Sequence, residues 1–164
     1  MDIIKMFLKE VDREAEITRK MLKIVPDDKY DWQPHPKSMT IRQLTTHIAD
    51  LPEWVAMAVT TDGLDFADNP YNPPVINNNA ELLAYFEKNV ANGRAKLAAA
   101  TEADLLPDWT LRAGNQIYMV QTKAEVVRVS LNQTTHHRAQ LGVFLRLLDI
   151  PIPGSYGPSA DEQF

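Results

Sequence analysis

Residues 122–149, TKAEVVRVSLNQTTHHRAQLGVFLRLLD, combine a helix start signal with two adjacent histidines and an arginine. Thr122 and Glu125 have the spacing of a capping box, in which each side chain bonds the backbone N–H of the other residue. Pro151 and Pro153 follow the stretch, and proline does not continue a helix. The sequence therefore predicts one long helix from Thr122 to about Asp149.

Three earlier segments carry similar helical patterns. Residues 2–24 place apolar side chains at three- and four-residue spacings, with charged residues between them. A second helix is expected after Thr40, which forms another capping box with Gln43. A third helix is expected to follow Asn78, a favourable capping residue, and to end near Thr101.

The connections between these segments are long and differ in character. Residues 62–78 are too rich in Asp, Asn, Gly and Pro to continue the second helix, so they are expected to form a loop. Residues 107–120, PDWTLRAGNQIYMV, are compatible with either a short hairpin around the AGN turn or an irregular crossover. Four long helices without a convincing sheet predict an all-α, antiparallel four-helix bundle with long loops.

Composition places limits on the class of protein. A chain of 164 residues with 45% hydrophobic content predicts a single domain over 1–164. The absence of cysteine excludes disulfides and thiolate ligands, which leaves histidine, carboxylate, amide or water for any metal. A net charge of -5 without a basic cluster argues against nucleic-acid binding. With no signal peptide or apolar span at the start, we expect a soluble cytoplasmic protein that does not bind a membrane.

Several polar residues occupy positions that should face the bundle interior. On the last helix, Gln133 and His137 lie one turn apart within the apolar pattern, whereas His136 points about a quarter turn away. His47 on the second helix lies between apolar residues at spacings of three and four. The expected inward face of the last helix consists of Val126, Ser130, Gln133, His137, Leu141, Phe144 and Leu148.

Two interpretations of the inward histidines remain open. Imidazoles on facing helices are a common way to build a metal site in a bundle, because the helices hold the ligands at a fixed separation. Buried histidines also occur as hydrogen-bonded core residues, and His47 and His137 could pair with other polar groups. Arg138 is expected to be a surface or interface cation, and Trp54 to belong to the core or a pocket wall.

Two segments resemble a known family. YDWQPHPKSMTIRQLTTHIADLPEW, residues 30–54, resembles the approach and second helix of the DinB-like family, named for DNA-damage-inducible proteins. THHRAQLGVFLRLLDIPIPGSYGPSADE, residues 135–162, resembles its last helix and tail. The resemblance implies a four-helix bundle, a divalent metal, usually nickel or zinc, held by three histidines, and frequent homodimers. For characterised relatives it implies transferase or isomerase activity with a thiol cofactor.

The resemblance assigns metal ligands residue by residue. The first ligand position corresponds to His47, and the histidine that precedes the arginine of the family's HxxxHR pattern corresponds to His137. The remaining position lies four residues earlier and is Gln133 here, a departure from the family. An amide oxygen is a weaker ligand than imidazole for nickel or zinc. His136 cannot easily replace it, because neighbouring helix residues point about 100° apart.

Two functions follow from these expectations. One is a metal-dependent transferase or hydrolase that uses a low-molecular-weight thiol, with Asp50 and Ser130 as candidates for orienting ligands or transferring protons. The alternative for Asp50 is a solvated charge on the helix surface. The other is a bundle without metal that binds a small molecule or serves as a dimeric interaction module. In either case residues 62–78 and the tail YGPSADE, residues 156–162, are expected to cover the open end of the bundle and to influence substrate choice.

Overall fold

The computed structural model describes residues 2–163. Its main elements are the four helices α1 (Ile3–Lys23), α2 (Ile41–Thr60), α3 (Asn79–Ala99) and α4 (Lys123–Leu147). Each corresponds to one of the helices predicted from the sequence. No helix in this described part of the chain has the length and apolar character needed to cross a membrane.

The predicted capping residues begin three of the helices. Thr40 accepts a hydrogen bond from the backbone N–H of Gln43 at 3.2 Å, and the Gln43 side chain accepts from the backbone of Thr40 at 2.9 Å. Thr122 and Glu125 form the same reciprocal arrangement at the start of α4. Asn78 caps α3. These side chains satisfy N–H groups that have no partner within the helix, so the helix starts are determined locally.

The helices surround the core in the order α1, α3, α2, α4, so that α1 and α2 lie on a diagonal. The relative direction of two neighbouring helices follows from two contacting residue pairs along them. Helix α1 contacts α4 through Glu10–Arg128 and Glu14–Arg138, and α3 through Asp12–Arg94 and Arg19–Glu87. Helix α2 contacts α3 through Ala49–Asn89 and Glu53–Asn92, and α4 through His47–His137 and Leu51–Ser130. Residue numbers rise together for α1 with α4 and for α2 with α3, which are therefore parallel.

The prediction of an antiparallel bundle is thus correct for only two of the neighbouring pairs, α1 with α3 and α2 with α4. The periodicity of a helix shows which of its faces is apolar, but it does not identify the helix that this face contacts. Long connections, residues 61–78 and 100–122, allow the chain to cross the bundle instead of joining each helix to its neighbour.

A small sheet closes one side of the bundle. The strands are β1 (Gly63–Asp65), β2 (Asp108–Ala113) and β3 (Gln116–Thr122). The hairpin alternative for residues 107–120 is confirmed, since β2 and β3 pair in antiparallel fashion around Gly114, which has a φ of 56°. The parallel pairing of β1 with β2 was not predicted, so the all-α assignment is wrong in this respect. Three residues are too few to show the alternation that identifies a strand.

Pro52 lies inside α2 without ending it. Proline has no N–H to donate to the helix, and its ring disturbs the preceding turn. Side chains from two other helices bond carbonyls beside it: Asn89 donates to the carbonyl of Ala49 at 2.9 Å, and Ser130 donates to that of Leu51 at 2.7 Å. The α2 backbone around Pro52 is therefore held from both α3 and α4.

The C-terminal tail packs along α1 and α4. Tyr156 donates a hydrogen bond to Glu14 at 2.5 Å, and Asp161 pairs with Arg146. Two cavities open on α2 near His47, and no residue of the tail, 156–162, lines either of them. The expectation that it covers the same opening as residues 62–78 is therefore wrong, because its polar anchors lie on the opposite side of α4.

Candidate metal centre

The two histidines predicted to face each other do so. His47 on α2 and His137 on α4 have ring centroids 4.7 Å apart, with the ring planes inclined at 77°. Both side chains are half-buried. Because α2 and α4 are antiparallel neighbours, the two imidazoles approach from opposite helices, as a site between bundle helices requires.

The surroundings of both rings favour ligand-competent imidazoles. Burial lowers the pKa of His47, the positive charge of a protonated His137 lowers it further, and Asp50 opposes the shift. His137 Nδ1 lies 2.8 Å from Gln140 Oε1, which can only accept a hydrogen bond. In the tautomer in which Nδ1 of His137 donates to Gln140, Nε2 retains the lone pair that could coordinate a metal.

Gln133 occupies the turn of α4 that precedes His137, but its side chain is exposed. The prediction that this residue faces the core is wrong, because the buried stripe of α4 is rotated away from it. Thr134 and Arg138 are buried instead. His136 is exposed as expected, yet its ring centroid lies 4.8 Å from that of His137. The three imidazoles therefore form a row, with His137 in the middle.

Arg138 is buried, contrary to the prediction of a surface or interface cation. Its side chain is only 2% exposed, and Nη1 donates to Glu14 at 2.6 Å and to Thr18 at 2.9 Å. Glu14 is itself 5% exposed. The prediction failed because burial of a guanidinium needs a buried partner, and this one comes from a helix more than a hundred residues earlier.

The two residues considered for proton transfer have other partners. Ser130 is buried, and its hydroxyl donates to the backbone of Leu51. Asp50 accepts a hydrogen bond from the Tyr85 hydroxyl at 2.5 Å. Ser130 therefore holds α2 against α4, and Asp50 contributes a negative charge near His47.

A cavity of about 510 Å³ opens beside His47. Its walls include Thr46 from α2, Tyr71 and Val75 from the loop, and Lys37. The Tyr71 ring meets that of His47 edge-on, with centroids 6.5 Å apart. The expectation that residues 62–78 cover the site is supported by this loop wall, and a small molecule could reach His47 through the cavity.

The donors present fit part of a divalent metal site. Nickel and zinc accept imidazole nitrogen readily. Within residues 2–163, no group of three or more His, Asp or Glu side chains is arranged to hold an ion. A third protein ligand would therefore have to be an amide, a hydroxyl or a backbone carbonyl, and the residue at the family's position, Gln133, has an exposed side chain. The described residues thus supply two imidazoles, His47 and His137, to such a centre.

Comparison with known proteins identifies the family. The sequence profile of the DinB superfamily matches residues 10–141, which include His47, Gln133 and His137. The match extends over most of the chain. The protein therefore belongs to the DinB superfamily, and the resemblance seen in the sequence is confirmed.

Solved structures share the fold at low sequence identity. A DinB-like protein of Bacillus subtilis, YjoA, superimposes with a TM-score of 0.72 and 16% identity, covering 97% of this chain and 99% of its own. YfiT of Bacillus subtilis, described as a probable metal-dependent hydrolase with an unusual four-helix bundle topology, gives 0.67 and 13%, covering 90% and 89%. A mycothiol-dependent maleylpyruvate isomerase gives 0.62 and 12%, covering 85% of this chain and 60% of its own.

Sequence reasoning missed two neighbours of the histidine pair. Gln140 lies three residues after His137, a spacing at which helix side chains meet, so its contact was predictable. Tyr71 lies in a loop without periodicity, and no local signal placed it against His47. The contact of Gln140 is therefore a local feature of α4, whereas that of Tyr71 depends on the tertiary structure.

Proposed function

We propose that this chain is a divalent-metal-dependent enzyme in which His47 and His137 hold the ion and Gln133 supplies a weaker third ligand. The observation that carries the proposal is the approach of the two imidazoles, 4.7 Å between centroids, from opposite helices beside a cavity. Nickel and zinc are the ions that we expect, because imidazole nitrogen suits both.

Each residue has a defined part in this proposal. Burial lowers the pKa of His47 and so favours its neutral form, and Gln140 would hold the Nδ1 proton of His137. Tyr71 covers His47 and limits the access of water to it. When bound, the ion would supply a Lewis acid that activates a water or a thiol.

The reaction that we propose is transfer or hydrolysis with a low-molecular-weight thiol as cofactor. This part draws on the descriptions of two proteins of the same fold, the probable metal-dependent hydrolase YfiT and the mycothiol-dependent isomerase. The cavity beside His47 offers the space in which a thiol and an electrophile would meet. Turnover of electrophiles with a panel of thiols tests it, and a metal-loaded protein inert with every thiol would refute it.

Elemental analysis of protein purified without chelator tests the metal site directly. We expect stoichiometric nickel or zinc in the wild type and its loss in His47→Ala. His35→Ala is the matched control, because His35 lies exposed in the loop before α2 and should leave the metal content unchanged. A wild-type protein without metal at neutral pH, even after nickel or zinc is supplied, would refute the proposal.

A second candidate is a bundle without metal that binds a small molecule or acts as an interaction module. The exposed amide at position 133 favours it, since an imidazole there would have completed the family's ligand set. Gln133→His separates the two candidates. If the two histidines retain ligand geometry, this variant should bind nickel or zinc much more tightly than the wild type, whereas unchanged binding would favour the second candidate.

The assembly and location are further parts of the proposal. We propose a homodimer in the cytoplasm, following the family resemblance and the absence of cysteine. Light scattering coupled to gel filtration should give twice the chain mass of 18.6 kDa. The chain mass alone, at micromolar concentration, would contradict the dimer. Cell fractionation would test the location.

A further inference from the structure

A second cavity, of about 230 Å³, lies on α2 one turn beyond His47. Its walls are mainly apolar, with four aromatic rings among prolines and aliphatic side chains, and two carboxylates and two asparagines complete them. The side chains that define it are Asp50, Glu53, Trp54, Phe66, Tyr71 and Tyr85. Tyr71 also lines the first cavity, so the two spaces share a wall and lie side by side along α2.

The two carboxylates are held in place but not neutralised. Asp50 accepts from the Tyr85 hydroxyl at 2.5 Å, and Glu53 accepts from the Asn92 amide at 2.7 and 2.8 Å. Each is half-buried. Of the lysine, arginine and histidine side chains in residues 2–163, none lies within 4.0 Å of either carboxylate. Two negative charges one helical turn apart therefore lack a cation, which is unfavourable at reduced solvent exposure.

The rings around them suit a cation as well. Trp54 packs against the buried Trp109, with centroids 6.2 Å apart, so its ring is supported from behind. The faces of neutral aromatic rings attract cations, and tryptophan does so most strongly.

We propose that this cavity binds an organic ammonium group, with Asp50 and Glu53 neutralising its charge and the rings of Trp54, Phe66 and Tyr71 enclosing its alkyl surface. A divalent inorganic ion is a poorer occupant, because it requires six or more oxygen ligands, whereas most of this wall is apolar and only two carboxylates lie in it. The shared wall at Tyr71 places the ammonium next to the His47 cavity.

The role of this group in catalysis rests on the proposed function. A substrate or cofactor that carries an ammonium could be anchored in this second cavity while its reacting end occupies the space beside His47. Binding of the ammonium itself requires no metal, so the two proposals can be tested separately.

Calorimetric titration of metal-free protein at neutral pH and low ionic strength tests the cavity. The probes are methylammonium, choline and 3,3-dimethylbutan-1-ol, the last being a neutral isostere of choline. We expect one or both ammonium compounds to bind and the neutral alcohol to bind at least about tenfold more weakly. Preference for methylammonium over choline would indicate a primary amine, and the reverse a quaternary one.

Variants show whether the named side chains are responsible. Glu53→Gln and Trp54→Leu should each weaken binding about fivefold to thirtyfold. Glu53→Gln keeps an acceptor for Asn92, and an unchanged circular dichroism spectrum would show that it folds. Glu16→Gln, which removes an exposed carboxylate on α1, is the matched control and should bind like the wild type.

Three results would overturn the inference: no binding of either ammonium in the millimolar range, equal binding of the neutral alcohol, or an equal loss in Glu16→Gln. Repeating the titration with nickel-loaded protein separates this inference from the proposed function. Ammonium binding in a protein that takes up no metal supports the cavity and refutes the metal proposal. Metal uptake without ammonium binding supports the metal proposal and refutes the ammonium site.

Discussion

At the scale of the residue, His137 and Arg138 are neighbours in the chain with opposite surroundings. Successive side chains leave a helix about 100° apart, so His137 reaches His47 on α2 while Arg138 reaches Glu14 on α1. The buried ion pair therefore joins α1 to the same turn of α4 that presents the candidate ligand. Its geometry constrains the rotation of α4, and with it the direction of His137.

We expect Arg138→Met to destabilise the protein by about 3–5 kcal/mol, because it leaves the Glu14 carboxylate buried without a cation. Urea unfolding followed by circular dichroism measures this. The double variant Glu14→Leu with Arg138→Met should recover most of the loss, since replacing both charges removes the desolvation cost. A double variant as unstable as the single one would show that another interaction of Arg138 dominates.

At the scale of the element, α2 and α3 run parallel and approach closely beside Pro52. Gly93 on α3 faces the Pro52 carbonyl, and a Cβ at position 93 would clash with that backbone oxygen. A backbone carbonyl cannot move aside as a flexible side chain can. The small residue therefore sets the spacing of the helices that carry Glu53 and Asn92.

Gly93→Ala should lower the free energy of unfolding by about 1–3 kcal/mol, because α3 would have to shift away from α2. Gly142→Ala on α4 is the matched control. A Cβ there would meet only the ends of two side chains, Met21 at 3.6 Å and Ile152 at 3.9 Å, both ordinary contact distances. The control should be neutral or stabilising by up to about 1 kcal/mol, as alanine favours helix. Equal destabilisation of both variants would argue against the close approach at Pro52.

At the scale of the whole molecule, the tail connects the C-terminal end of the chain to the bundle. Asp161 pairs with Arg146 of α4 and accepts a hydrogen bond from the backbone N–H of Ile152 at 3.0 Å. Tyr156 reaches Glu14 and so links the tail to the buried ion pair. The tail thus braces α1 and α4 on the side away from the cavities.

The contribution of Asp161 should depend on pH in a defined direction. The hydrogen bond from Arg146, with that from Ile152, lowers the pKa of Asp161 below its ordinary 3.8 in the folded state. Its stabilising effect is therefore complete above the unfolded value and disappears as the pH falls through the lowered folded value. Asp161→Asn should have a lower urea midpoint than the wild type at neutral pH.

The two midpoints should converge as the pH falls below 3.8 and through the lowered folded-state pKa, because the carboxylate of the folded wild type is protonated only there. Asp68→Asn, which changes an exposed loop carboxylate, serves as the control and should follow the wild type throughout. A difference for Asp161→Asn that persists unchanged in acid would show that its side chain stabilises the tail without its charge.

Local sequence was enough to predict the four helices, the capping residues of three of them, and the inward position of His47 and His137 on their helices. These features depend on interactions within a few residues, such as the Thr122–Glu125 capping box, or on the spacing of apolar side chains along one helix. The family also followed from the sequence, because its motifs lie in two continuous segments.

The folded structure was needed to show which helices are neighbours, that β1 joins the hairpin, and that Arg138 is buried while Gln133 is exposed. The pairing of β1 depends on Thr110 as the partner of Gly63, and the burial of Arg138 depends on Glu14. Both partners are distant in the chain. A charged residue is expected to be exposed unless a buried residue of opposite charge pairs with it. The pattern of residues along one helix carries no information about such a partner. The second cavity, beside Asp50 and Glu53, also depends on distant parts of the chain, because a loop and two helices form it only in the folded protein.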